Sequence, residues 1–578
     1  MRLYADVLGT EWPRELLDQA EGALALCLDP DRPAPSRIEA AREALIAAGM
    51  LEQGIADGNG DADGGEQERS SAALTERTAE ILAHLAGGGA VDRTLPDALA
   101  EARAALRGHG PLSIVHPEGY LFYALFPDLY LALGAAIGAA VGNRPAVVIG
   151  VRSIGTSLSA AVAAGLRAHG CAVQRHTVRP VGDPFARLTI PSRQQRDAWQ
   201  AAAARGAAFI AVDEGPGLSG SSLASVIAAL ELLGVAADRL HIACAARPAS
   251  PPMASPEVRA IWRRTRTWAA EDLSSGFWAE TLPSWLASSV GVSPGVIADL
   301  SWGAWSMYVP GGVQPPMPQF ERRKLLLGDR GGGVLAKFAG FGADGRRKAR
   351  HLRALAEEGM VPRYLGHAHG MVLQEWVQGS GPFRPEDDAP LDAAAAYYAF
   401  LRRSFSVAEC PDTQALAETV EAIAGKWFGQ TLPGDLRPLL AGMRGVGAIE
   451  GDQRPERVEW RAAGGRILKT DAADHYLDHT WARRMDVAFD VAGFSVEFAL
   501  SPAREGELLS RYAAASGDPC IGTRMPFFRA VYAAHRLATA DTAYHSGGGI
   551  SAALDQQRRH MAASMAATLR GNRGSGCD

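Results

Sequence analysis

The sequence predicts two α/β architectures in one chain: a doubly wound parallel sheet preceded by a helical N-terminal region, then a bilobal α+β domain. Three observations carry this expectation. Between about 106 and 250, short apolar runs alternate with helical patterns, the mark of parallel strands joined by crossover helices. From about 319 the order becomes strand, tight turn, hairpin partner and basic helix, followed by mostly helical sequence. The third is length, because 578 residues exceed what one core organises.

Residues 1–105 form the helical N-terminal region. Segments 11–55 and 70–87 carry leucine and alanine at helical spacing. Between them, "ADGNGDADGGEQERSS" sets Asp57, Asn59, Asp61, Asp63 and Glu68 at the spacing of a calcium-binding loop, but Ala62 stands where that loop needs glycine. An acidic, glycine-rich disordered insert near 56–70 accounts for the same composition. The apolar stretch 129–142 is too short to span a bilayer and predicts a buried helix.

The bulk composition excludes several classes. A net charge of −6 gives no basic surface for nucleic acid or membrane. Cysteines 27, 171, 244, 410, 520 and 577 are scattered without paired spacing, as free thiols of a reducing cytoplasm are. The N-terminus lacks the basic start and apolar core of a signal peptide. A cytoplasmic protein is expected, with its oligomeric state open.

In the doubly wound region, strands are expected at 145–151, 171–178, 207–212 and 240–246. Two glycine-hydroxyl loops follow strands: "RSIGTS" from Arg152 and "DEGPGLSGSS" from Asp213. A strand, a glycine-rich turn and a helix N-terminus make an anion site. Asp213 and Glu214 just before the second turn suit a ligand with hydroxyls or a magnesium ion.

This region resembles the type I phosphoribosyltransferases. The resemblance implies that Asp213 and Glu214 contact the ribose of phosphoribosyl pyrophosphate, and that Ser219, Gly220, Ser221 and Ser222 cradle its 5′-phosphate. Arg152, Ser153, Gly155 and Thr156 then form the pyrophosphate loop, and 174–188, with His176, Arg179 and Arg187, the catalytic loop. The spacing from acids to cradle is one residue longer than the family's. His116, Glu118, Tyr120, Tyr123 and Tyr130 are candidates for an acceptor pocket, although packing explains their aromatics as well. A phosphate-binding or ligand-sensing α/β domain without catalysis remains an alternative.

Residues 251–318, rich in proline, serine and tryptophan, read as a connector. Residues 319–568 resemble the aminoglycoside-phosphotransferase class, which shares the protein-kinase fold. The resemblance implies that Lys337 holds nucleotide phosphates, that 374–379 with Glu375 meets the base, that Asp452 is the catalytic base and that Asp471 binds metal. Asp490 would be a structural acid. Glu450 replaces the family's histidine and Arg457 its metal-binding asparagine, and the basic helix offers Lys337 only Glu357 or Glu358. The last ten residues, 569–578, look like a solvated tail.

The expected function is a bifunctional enzyme acting on nucleotide-like metabolites. The first half would use phosphoribosyl pyrophosphate, and the second ATP with Mg2+ to phosphorylate a small molecule. The alternative is a sensor or scaffold with a degenerate kinase-like domain.

Overall fold

The computed structural model describes residues 8–59, 65–89, 95–246, 251–293, 295–308, 317, 320–329, 332–377, 381–384, 386–429, 436–441, 443–546 and 551–571. The chain divides into two compact units. One runs to Ser288 and includes Gly340–Gly342; the other comprises Ser289–Ala339 and the residues from Ala343 onward.

In the first unit, β1 (Leu8–Glu11) pairs antiparallel with β2 (Leu112–Val115). Helices Pro13–Leu28, Ala34–Gly58, Glu66–Ala86 and Leu95–Ala105 lie between them. Helix therefore continues to Gly58 and resumes at Glu66, closer together than the sequence pattern implies. Asp61 and Asp63 of the calcium-like spacing lie outside the described residues.

The sheet of this unit contains β3 (Ala146–Val151), β4 (Val173–Val178), β5 (Ala208–Val212), β6 (Leu240–Cys244) and β7 (Arg266–Ala269). Its order is β4-β3-β5-β6-β7, and every pair is parallel. Strands β3, β5 and β6 are buried along their whole length, because helices cover both faces and each strand can be apolar throughout. From β3 the chain winds to β4 on one side and then returns to β5 on the other. That reversal creates a topological switch point between β3 and β5, where loops at the carboxyl edge diverge.

In the second unit, β8 (Val296–Asp299), β9 (Lys324–Asp329), β10 (Gly332–Phe338), β11 (Tyr364–Ala368) and β12 (Met371–Glu375) form an antiparallel sheet of order β11-β12-β10-β9-β8. Both β7 and β8 arise from 251–318. That stretch is thus no simple connector, since it supplies one strand to each sheet.

Helix Gly342–Glu357 follows β10, and the remainder of the unit is mainly helical around a core that includes Trp460, Phe494 and Phe528. The hairpin Trp460–Ala463 and Arg466–Lys469 pairs antiparallel beside it. Helix Val487–Glu497 is buried from Val487 through Val496. Its N-cap Asp486 accepts from the Ala488 amide at 2.8 Å and pairs with fully buried Arg524 at 3.1 Å. Arg524 also pairs with Asp518 at 2.5 Å, so it is removal of Arg524 that would leave the Asp486 carboxylate buried without its cation, at a cost of about 3–5 kcal/mol.

Among the described residues no helix is long and apolar enough to cross a membrane. Cysteines 27, 171, 244, 410 and 520 are free thiols.

Candidate functional site

Two clusters of the expected residues can be examined in turn. In the second unit, Lys337 lies on β10 between Lys324 of β9 and Val372 of β12. This central position buries its side chain to 8% exposure. Its ammonium is 2.5 Å from Asp471 Oδ1 and also pairs with Asp474. Burial opposes the lysine charge, but the two carboxylates outweigh it and raise the pKa above the usual lysine range. Burial opposes ionisation of Asp471 and Asp474, but Lys337 together with the other cations around them, His475 among these, holds both below the ordinary carboxylate range. The partner expected from the basic helix is not used: Glu357 and Glu358 are exposed.

Asp452 sits in the loop before the hairpin, and Asp471 and Asp474 sit just after it, so one hairpin fixes their separation. Asp452 is 2% exposed, and its Oδ2 is 2.5 Å from Lys469 Nζ. Its Oδ1 has no hydrogen-bond partner. Burial pushes Asp452 up to about 8, with Lys469 pulling the other way. Asp490, on the buried helix, accepts from the Gln453 backbone and so braces this loop. At Gly451 a Cβ would stand 2.8 Å from Ile449 Cδ1 and 3.4 Å from Asp490 Oδ2, so a larger residue here would press on the Ile449 side chain.

The two departures from the kinase-like pattern have separate explanations. Glu450 pairs with Arg347 at 3.1 Å and Arg484 at 2.9 Å, tying helix Gly342–Glu357 to this loop. Arg457 is exposed, with its guanidinium 5.4 Å from the Phe498 ring centre. It is not among the residues that line the cavity beside Lys337.

A cavity opens beside these groups. Charged groups, among them Lys337, Asp471, Glu459 and Arg454, and the apolar side chains Leu335, Trp376 and Val377 line it, as does Trp305, which donates to Glu321 at 3.2 Å. Glu375 borders it, exposed and 3.8 Å from Arg363. A ligand with a planar body and a charged tail suits such a mixed lining. Sequence patterning did not single out Trp305, Lys469 or Glu459.

The donors also fit a hard divalent cation. Ligand atoms of Asp471, Asp474 and His475 lie within 4.8 Å of one another, and carboxylate oxygens predominate.

In the first unit, the turns after β3 and β5 pack against each other. A Cβ on Gly155 would meet Val212 O at 2.7 Å and Asp213 Cα at 3.6 Å. Ser153 takes φ 106°, a strained backbone for a residue with a side chain. Thr156 is fully buried, and its hydroxyl has no partner.

The remaining expected anion-binding groups of this unit have internal partners. Arg152 donates to Ala56 O at 3.0 Å and Asp57 Oδ1 at 3.3 Å, and Arg179 donates to Asp57 Oδ1 at 3.1 Å. Asp57 is therefore engaged by arginines rather than offered to calcium. Ser219 and Ser221 hydroxyls donate to Pro184 O at 2.8 and 2.7 Å. Ser153 Oγ donates to Val115 O at 3.2 Å.

Glu214 Oε2 accepts from the Gly119 amide at 2.8 Å, and Asp213 Oδ1 from the Glu214 amide at 2.8 Å. Burial pushes Asp213 up to about 7 and raises Glu214 well above its ordinary value, with Glu118 and Asp213 adding to the latter. Helix Ser221–Leu232 begins at Gly220 with no side-chain cap. Ser222 starts this helix beside Ser221 and is partly buried.

The other loop and pocket candidates have packing roles. Tyr120 bonds Ser157 Oγ at 2.7 Å and Tyr130 donates to Asp213 O at 2.9 Å, and both rings are buried. His116 lies 3.8 Å from Glu11, and Tyr123 packs edge-on against Phe122. Burial pushes His176 down to about 4, and its ring lies edge-on to Trp199. Arg187 reaches Pro180 O at 3.5 Å.

No family model matches the chain, and no curated protein does. Among solved structures, the choline kinase LicA of Streptococcus pneumoniae aligns with TM-score 0.35 and 13% identity, covering 50% of this chain and 99% of that one. A choline/ethanolamine kinase family protein of Mesorhizobium loti aligns with TM-score 0.31 and 16% identity, covering 46% and 92%. Plasmodium vivax ethanolamine kinase aligns with TM-score 0.29 and 10% identity, covering 46% and 82%.

Proposed function

We propose that the second unit is an ATP-dependent phosphotransferase acting on a hydroxyl-bearing small molecule. The observation that supports this best is the meeting of Lys337 with Asp471 and Asp474 beside a cavity of mixed lining, with Asp452 in the loop before the same hairpin. In this scheme Leu335, Trp376 and Val377 take the base, and Lys337 steers the triphosphate. Asp471 and Asp474 hold the divalent ion, which neutralises charge on the phosphates. Asp452 takes the proton of the acceptor hydroxyl through its unengaged Oδ1. Its raised basicity helps that transfer.

The test is transfer of labelled γ-phosphate from ATP to pooled small alcohols and amino alcohols by the full chain. Nucleotide binding with no transfer to any acceptor would favour the sensor alternative. Absence of nucleotide binding would remove the proposal.

A second reading concerns the first unit. Its parallel sheet sets the turns from Arg152 and Asp213 against each other at the switch point, beside an uncapped helix N-terminus. We infer a site there for a sugar phosphate, with phosphoribosyl pyrophosphate and Mg2+ as the first probe. Binding requires Asp57 and Pro184 O to release the arginines and serines they now engage. Calorimetry showing no heat with that probe would leave this unit a structural α/β domain.

A further inference from the structure

We infer that Lys469 is a fixed cation standing in for the second metal ion of the phosphate-transfer centre, so that the site works with one divalent ion; the inference rests on the phosphotransferase proposal above. Kinases of this general architecture hold two magnesium ions, one through a catalytic-loop asparagine. In this chain the corresponding position is Arg457, which is exposed against Phe498 and supplies no ligand.

The ammonium of Lys469 has the surroundings that the missing ion would take. Its Nζ lies 2.5 Å from Asp452 Oδ2 and 2.6 Å from Glu459 Oε2, and it also donates to the Asp471 carbonyl. These oxygens come from the loop, the first strand's approach and the turn after the second strand of one hairpin. A lysine has three N–H donors, and all three are used. The side chain is 1% exposed, so this cation cannot exchange with solvent as a metal ion would.

Geometry adds a role in positioning. Lys469 holds Oδ2 of Asp452, while its enclosed Oδ1 has no hydrogen-bond partner. A merely structural buried pair would explain the contact with Asp452. The count of bound ions separates the two roles, because a purely structural lysine would leave that count unchanged when replaced.

The experiment counts Mn2+ bound to the full chain saturated with the non-hydrolysable analogue AMP-PNP, by electron paramagnetic resonance. One Mn2+ per protein–nucleotide complex is expected for the wild type. Lys469→Met should admit a second ion, and Lys469→Gln provides the same comparison if the methionine variant does not fold. Two ions in the wild type would overturn the inference while leaving the phosphotransferase proposal intact. An unchanged count of one in the variants would also overturn it. Failure of the wild type to bind Mn2+ with the nucleotide would remove both.

Discussion

Replacing Lys337 with methionine keeps the length of the side chain and removes its charge. Asp471 and Asp474 would then face each other in the interior without their shared ammonium, which is 2.5 Å from Asp471 Oδ1 and 8% exposed. Breaking a buried ion pair from one side costs about 3–5 kcal/mol. For a unit of this size, roughly 2–4 °C of melting temperature is lost per kcal/mol. The transition of the second unit should therefore fall by roughly 6–20 °C in metal-free buffer. Millimolar Mn2+ should restore part of that loss, because two adjacent carboxylates become free to hold it. The assay is calorimetric melting of the full chain with and without Mn2+, with AMP-PNP identifying the transition that belongs to this unit. A variant that melts with the wild type and ignores Mn2+ would refute the electrostatic reasoning.

Three other outcomes are expected. Asp452→Asn should lower kcat by roughly 10²–10⁴-fold, the contribution of a general base, while calorimetry finds nucleotide affinity unchanged; loss of affinity would make Asp452 a binding residue instead. Arg457→Ala should leave phosphate transfer intact and stability within about 0.5 kcal/mol, and a dead enzyme would return that residue to the site. Asp213 has its folded pKa raised to about 7 by burial. The folded state therefore holds the proton more tightly, and the stability this gives below about pH 4 is lost as pH rises to about 7. Melting of the first unit across that window should fall less steeply in Asp213→Asn, and an identical slope would count against burial of that carboxyl.

What could be read from the sequence followed the physics of each element. Strands β3, β5 and β6 are buried on both faces, and their continuous apolar runs were visible for that reason. Strand β7, "RTWA", has only Ala269 buried, and β8 alternates partial burial with exposure, so neither produced a run long enough to find. Lys337, Asp452 and Asp471 stood out through their order along the chain. The cation at Lys469 did not, since a lysine ending a short strand usually points to solvent. Its burial depends on Asp452, Glu459 and Asp471 converging in three dimensions. The pairing of Asp57 with arginines, in place of the calcium spacing, was not legible for a similar reason: Arg152 and Arg179 lie 95 and 122 residues away.

The central claim is that the cavity beside Lys337 is a nucleotide triphosphate site. A crystal structure of the full chain with AMP-PNP and Mn2+ tests it most directly. The expected result is anomalous density for Mn2+ at Asp471 and Asp474, with the triphosphate against Lys337 and the base beside Trp376. Nucleotide bound elsewhere, or a cavity still closed by the Lys337 ion pairs at saturating ligand, would contradict the account.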